Sequence, residues 1–253
     1  MRSINKLTAL LLSLILVAGA LASCVGPTVD LQTDTYVASV TIEFATNDDK
    51  MKAAVDAMSG SVSTLYVSGE DMRIETSAEV NGISLSDNYV YFGGTLYHET
   101  RLTVDGKSAV TLEKAAMSAE NRQQLISDVG AGASIEPTDF DVQEKDGEEG
   151  NYTYTCGGIT GKAKDSLQSI FASKFSGLNA TASLASAEFV LETENSRDKS
   201  STLSCHFVIG MNGESYEITM HIYTDYDYEA VFGISAPEGS SSYKQVSYDE
   251  IIK

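Results

Sequence analysis

Cysteine, histidine and clustered acid are the residue types in this chain that could carry chemistry, and each makes a different demand on spacing. Cys156 and Cys205 form an even pair. They are either a disulfide, whose long closed loop would stabilise the fold by about 3–5 kcal/mol, or two buried thiols on separate strands. His206 and His221 flank Asn212-Gly213, a strong two-residue hairpin turn. A turn there pairs Met211 with Glu214, Ile209 with Tyr216 and Cys205 with Met220. It leaves the two histidines as diagonal neighbours on the face opposite Cys205, Phe207 and Ile209, with Glu217 nearby. A zinc site needs a third or fourth ligand. None is evident, so two solvated histidines are expected. The run Thr224-Asp225-Tyr226-Asp227-Tyr228-Glu229 lacks the glycine and terminal bidentate glutamate of a calcium loop, and reads as a solvated turn between two strands. Cys156-Gly157-Gly158 has no phosphate-loop continuation, and no serine sits in a nucleophile elbow. The expectation is no metal, no cofactor and no enzyme activity.

Cys24 stands apart. It closes Leu21-Ala22-Ser23-Cys24, preceded by Arg2, Lys6 and the uncharged apolar run Leu7 to Leu21. That run is shorter than the ~20 residues a spanning helix requires, and with its basic start it reads as a signal peptide. The closing tetrapeptide resembles a lipobox, which predicts cleavage before Cys24 and lipidation of its thiol. The expected organisation is a signal peptide over 1–23, a lipidated tether over 24–34 and one domain over 35–253. The protein would then lie at the extracytoplasmic face of the cell membrane.

Charge narrows the partners. The chain has 253 residues and a net charge of −19. Without Arg2 and Lys6 it keeps 15 basic residues against 36 acidic, or −21. Such a surface repels phosphate backbones and anionic headgroups. Nucleic acid is excluded as a partner, and membrane affinity must come from the lipid on Cys24.

The domain reads mostly as strands. Tyr36, Ala38, Val40, Ile42 and Phe44 alternate with more polar residues, the mark of a half-buried antiparallel strand. Asn47 to Met58 has helical spacing, with Met51, Ala54, Val55 and Met58 on one side. Met72, Ile74, Thr76, Ala78 and Val80 alternate up to Asn81-Gly82, which pairs Val80 with Ile83 and Ala78 with Leu85. Gly93-Gly94 and Asp105-Gly106 mark two more hairpins. Helices are expected from Ser118 to about Val129, and from about Ala163 to Phe175 with Leu167, Ile170, Phe171 and Phe175 as its apolar stripe. Between them Asp139 to Cys156 reads as a hairpin, with Phe140 and Val142 facing Tyr152, Tyr154 or Cys156. Strands follow over Glu188 to Glu194, Thr202 to Met211, Glu214 to Thr224 and Tyr228 to Ser235. Val246, Ile251 and Ile252 are left to dock.

This layout resembles the LolA/LolB-like superfamily, and within it the envelope lipoproteins of the LppX/LprG type. The likeness spans the mature chain. Its local features are Asn88-Tyr89-Val90-Tyr91-Phe92 with Gly93-Gly94 and Leu96-Tyr97, and Phe232-Gly233-Ile234-Ser235-Ala236-Pro237. The resemblance implies an α+β fold, a strongly curved antiparallel half-barrel of about ten strands with helices on its concave side. It also implies an apolar cavity between sheet and helices that holds a lipid or acyl chain. Val40, Ile42, Phe44, Met72, Ile74, Leu167, Ile170, Phe171 and Phe175 are the expected lining. The alternative is an envelope interaction or sensor lipoprotein with a protein partner and no bound ligand. An insert as early as Asn47 to Met58 departs from the family layout.

Overall fold

This computed structural model describes residues 35–49, 52, 55, 61–80, 83–122, 125, 135–176, 180–211 and 213–252. They form one sheet of twelve strands. The first six are β1 (Thr35–Ala45), β2 (Ser61–Ser68), β3 (Asp71–Val80), β4 (Ile83–Phe92), β5 (Thr95–Val104) and β6 (Lys107–Ala116). Next come β7 (Phe140–Glu148) and β8 (Asn151–Ile159), then the helix α1 (Gly161–Ser176). The chain continues through β9 (Ala180–Glu194), β10 (Arg197–Met211) and β11 (Glu214–Asp227), and ends with β12 (Lys244–Gln245) and the single turn α2 (Tyr248–Ile251). The sheet order is β12-β6-β5-β4-β3-β2-β1-β11-β10-β9-β8-β7. The ends do not pair, so the sheet is open. All neighbours are antiparallel except the short β12–β6 pair.

The hairpins follow from local turn chemistry. Gly93 and Gly94 have φ of 56° and 80°, Asp105 and Gly106 of 50° and 75°, and Asn195 and Ser196 of 53° and 63°. Two successive left-handed residues make the turn whose twist matches the flanking strands. Registers agree with the turn-based expectations: Val80 pairs with Ile83 and Ala78 with Leu85, and Met211 with Glu214, Ile209 with Tyr216 and Cys205 with Met220. Two hairpin tips are also stapled together. The Ser196 amide donates to the Gly150 carbonyl at 2.8 Å, and the Thr193 hydroxyl donates to the same carbonyl at 3.1 Å. A Cβ on Gly150 would lie 2.7 Å from the Ser196 hydroxyl oxygen.

Long-range pairing comes from β1, which joins β2 on one side and β11 on the other. Its burial alternates from Tyr36 to Phe44. The buried face of the sheet continues through Val67, Met72, Tyr91 and Leu96 to one side, and through Ile222, Leu203 and Phe189 to the other.

Helix α1 covers that face at β9. Its Ala163 and Leu167 pack with Leu184, Ala187 and Phe189. Strand β8 pairs with β9 only over Thr153–Gly157, which leaves the first half of β9 without a strand neighbour on that side. Gln168 fills the place: its Nε2 donates to the Ala182 carbonyl at 2.6 Å, and its Oε1 accepts from the Leu184 amide at 2.6 Å.

After Asp227 the chain crosses the opposite face. Phe232 meets Tyr66 edge-on at 5.5 Å, Tyr243 meets Tyr97 edge-on at 5.9 Å, and Lys114 Nζ donates to the Ser240 carbonyl at 2.9 Å. Strand β12 then pairs along β6, and α2 brings Ile251 into the buried cluster on the first face.

Several sequence expectations change. Among the described residues there are twelve strands rather than about ten, because β2 and the short β12 join the sheet. Tyr228 to Ser235 is not a strand: it lies across the sheet and Val231 is fully exposed. The acidic run from Thr224 to Asp227 is the end of β11, not a turn. Phe140 pairs with Ile159 and Val142 with Gly157; Phe140 is buried and stacks on Phe189 at 5.8 Å, whereas Val142 is exposed. Asp49, Lys52 and Val55 are helical, as are Arg122 and Leu125. The other residues of those two expected helices, apart from Asn47, Asp48 and Ser118 to Asn121, lie outside the described residues, as does Cys24.

Replacing Gln168 by Leu strands a half-buried amide and carbonyl on β9. The expected cost is about 1–3 kcal/mol, read as a lower urea midpoint at unchanged slope. An unchanged midpoint would show that water satisfies this edge equally well.

Candidate functional site

The expected lining residues all fall on one face of the sheet or on the helix that covers it. Val40, Ile42 and Phe44 come from β1, where alternation turns their side chains to the same side. Met72 and Ile74 come from β3 and Leu167 from α1. Their exposures are between 0 and 7%. The backbone of Ile170, Phe171 and Phe175 belongs to α1, and their side chains lie outside the described residues.

These residues do not form one continuous lining. Val40, Ile42, Phe44 and Leu167 belong to a cluster over β1 and β8–β11. Met72 and Ile74 belong to a second cluster over β1–β6, with Tyr36, Tyr89, Tyr91 and Leu96. A line of polar side chains runs across the sheet between them. Thr100 pairs with Asp87, Asp87 with Thr76, Thr76 with Ser63, Ser63 with Val40, Val40 with Thr224, and Thr224 with Ser201. Val40 is the apolar member of this row. Ser63, Ser201 and Thr224 are buried, Thr224 to 1% exposure.

Sequence reasoning missed this row. Its signal was present in the strands read correctly: Thr76 interrupts the apolar alternation of β3, and Thr224 that of β11. Aligning them needs the register across β2 and β1, which no local turn supplies.

At the β5 end the row carries a compact polar group. The His98 Nε2 lies 2.8 Å from Asp87 Oδ1, and the Thr100 hydroxyl donates to the same oxygen at 2.7 Å. With the carboxylate ionised, Nε2 carries a proton and donates to it. Nδ1 is buried and has no hydrogen-bond partner. The imidazole stacks on Tyr89 at 4.3 Å with 9° between planes. Burial, then the Asp87 charge, then Tyr248 raise the Tyr89 phenol far above its ordinary value of 10.

At the row's other flank, three tyrosines gather where β1 begins. Tyr36 lies 6.4 Å from Tyr226 and 5.9 Å from Tyr228. Burial foremost, with Asp198 next, raises the Tyr226 phenol well above its ordinary value, and the neighbouring Ser201 hydroxyl opposes this in part. Asp198 is itself raised, by burial and then by Glu136.

No disulfide joins Cys156 and Cys205. Cys156 pairs with Phe189 and Cys205 with Ala187, both on β9. The two cysteines therefore sit two strand spacings apart, about 10 Å, beyond the ~7 Å that a disulfide can bridge. Burial raises the Cys156 thiol, which makes it a poor nucleophile. His206 and His221 share the opposite face, as the turn predicts, and each bonds a cross-strand neighbour. His206 Nδ1 lies 2.9 Å from the Thr219 hydroxyl, and His221 Nδ1 lies 2.8 Å from that of Ser204. Among the described residues no three His, Cys, Asp or Glu side chains gather as a metal would require.

The raised tyrosines give stability a pH dependence. Their neutral form is favoured in the folded state, so this contribution is complete below pH 10 and is lost as pH rises through the raised folded values. Urea stability should fall from about pH 10 upward, and Tyr89→Phe should flatten the slope. An identical slope in the variant would remove Tyr89 from the account.

No protein-family model and no curated protein matches the chain. Among solved structures, an inactive mutant of the CurJ dehydratase in complex with a compound is similar at 14% identity, covering 87% of this chain and 82% of that one, with a TM-score of 0.14. At that TM-score the likeness carries neither a fold nor an activity to this chain.

Proposed function

We propose that this protein is an extracytoplasmic lipoprotein, held at the cell membrane by acyl chains on Cys24, that binds a lipid or acyl chain in an apolar site between its sheet and helices. The domain over 35–253 would take the curved half-barrel form of the LolA/LolB-like superfamily, with helices on the concave side. The observation that supports this most is the extent of buried apolar surface on one face of an open sheet. It runs from Leu96 on β5 to Phe189 on β9, with α1 rather than a second sheet covering the β9 region. An acyl chain on such a face gains about 0.8 kcal/mol per buried CH₂. Ile42, Met72 and Leu167 are already in contact with their neighbours, so ligand entry requires the covering helices to lift. Binding is non-covalent, and α1 is a lid.

A second reading keeps the anchor and the fold but has no ligand, with an envelope protein as partner. Its support is the same closeness of packing: Ile42 and Leu167 have 0% exposure, as in a filled core.

Native mass spectrometry of the chain lacking residues 1–24, purified from a bacterial host, separates the two. Co-purified lipid is the expected result. A clean apo mass under gentle conditions overturns ligand binding in favour of the interaction protein. The anchor is tested independently. One acyl chain gives marginal membrane binding and two give stable attachment, and the −21 charge of the mature chain offers no substitute. Cys24→Ala should accumulate as an uncleaved precursor or appear in the soluble fraction. Processing and membrane retention of the variant would remove the lipobox reading.

A further inference from the structure

The two apolar clusters meet on β1, where Ala38 belongs to one and Val40 and Ile42 to the other. An elongated ligand lying along the strands must cross the polar row at this point. The row's side chains there are Ser63, Val40 and Thr224. Ser63 is engaged, since its hydroxyl lies 3.1 Å from that of Thr76. Thr100 is engaged with Asp87. Thr224 is not: it is 1% exposed, and its Oγ1 is buried with no hydrogen-bond partner. Folding leaves a buried hydroxyl unmet only at a cost, and a valine would fill the same volume without that cost. Ser201, the cross-strand partner of Thr224 on β10, is buried as well, and its Oγ has no hydrogen-bond partner either, so the two hydroxyls mark one polar spot. The other unpaired atom near the row, His98 Nδ1, belongs to β5. It lies about five strand spacings away, roughly 24 Å, so it cannot serve the same ligand oxygen.

We infer that Thr224 is a specificity-determining subsite, and that the ligand is a chain bearing a hydroxyl or carbonyl oxygen at mid-length rather than a plain saturated chain. The inference rests on the apolar-ligand reading. The two halves of the chain lie on the two clusters, and the Thr224 hydroxyl donates to the oxygen where it crosses between them. A plain chain placed there leaves the Thr224 proton unmet. A hydroxylated or carbonyl-bearing chain brings its own polar atom to the point of crossing where the Thr224 hydroxyl, with that of Ser201 opposite it, is left to pair.

The test uses the full chain held in an amphipathic polymer, equilibrated with radiolabelled stearic acid or mid-chain hydroxystearic acid, with a polymer-only blank subtracted. One hydrogen bond corresponds to about a tenfold preference for the hydroxylated chain. Thr224→Val should abolish that preference by weakening only the hydroxylated ligand. This variant keeps the shape of the side chain, and a melting temperature at or above that of the wild type shows that it folds. Equal binding of the two acids by the wild type overturns the subsite and leaves the apolar-ligand reading standing. A preference that survives Thr224→Val overturns the role of Thr224. Binding of neither acid overturns the apolar-ligand reading and the subsite with it.

Discussion

The pairing of β1 with β11 is the interaction on which the architecture depends. It matches Val37 with Asp227 at one end and Ala45 with Thr219 at the other, joining the first strand to the last long one. Without it the molecule would be two separate meanders, each with an edge exposed to water and to other chains. Ile42 sits opposite Ile222 at its centre, both with 0% exposure. Burial of side chains this size stabilises by about 1.5–3 kcal/mol each. A contact across so much of the chain incurs its loop-closure cost before it yields stability. The hairpins, whose turns are local, are the elements able to form ahead of it.

The open ends of the sheet are handled differently. The β7 edge is exposed from Asp141 to Glu148, and Glu144, Lys145, Asp146, Glu148 and Glu149 put charge along it. Charge on an edge disfavours pairing with a second chain. At the other end β6 is covered by β12, and the segment leading to it lies over the face opposite the core. That crossing explains why Tyr66 and Tyr97 can sit outside the core: Phe232 and Tyr243 pack on them. Arg122 fastens the same half from the other side. It is buried, and its Nη1 donates to the Gly69 carbonyl in the β2–β3 turn at 2.8 Å.

The polar row is costly in an otherwise apolar layer. Part of that cost is offset within the sheet, by Ser63 with Thr76 and by the group of Asp87, His98 and Thr100. Thr224 has no such offset. A row of this kind also fixes register, because a shift of one strand by two residues would place hydroxyls against leucines and isoleucines. The same side chains thus divide the face chemically and hold the strands in line.

Wherever a turn or a regular alternation set the geometry, the sequence alone determined it. Asn212-Gly213 and Asn81-Gly82 placed every expected cross-strand pair around them, because a two-residue turn leaves one register. The alternation of Tyr36 to Phe44 put those residues on a common buried face, and the spacing around Leu167 placed it inward on a helix. The acidic charge and the tetrapeptide ending at Cys24 are likewise properties of the chain itself. Tertiary structure decided the rest. Strand β2 was hidden because Leu65, Tyr66 and Val67 are consecutive and apolar; their alternation appears only once Phe232 covers Tyr66 on the far side. Tyr228 to Ser235 looked like a strand for the converse reason: Phe232 packs across the sheet on Tyr66 rather than within a ladder, while Val231 is exposed. The first half of β9 is small and polar, and it is a strand because β10 and Gln168 supply its hydrogen bonds. The separation of Cys156 from Cys205 follows from β9 pairing between β8 and β10, and the alignment of Thr224 with Ser63 and Asp87 follows from β1 meeting β11. No local segment encodes that contact, because its two halves lie at opposite ends of the chain.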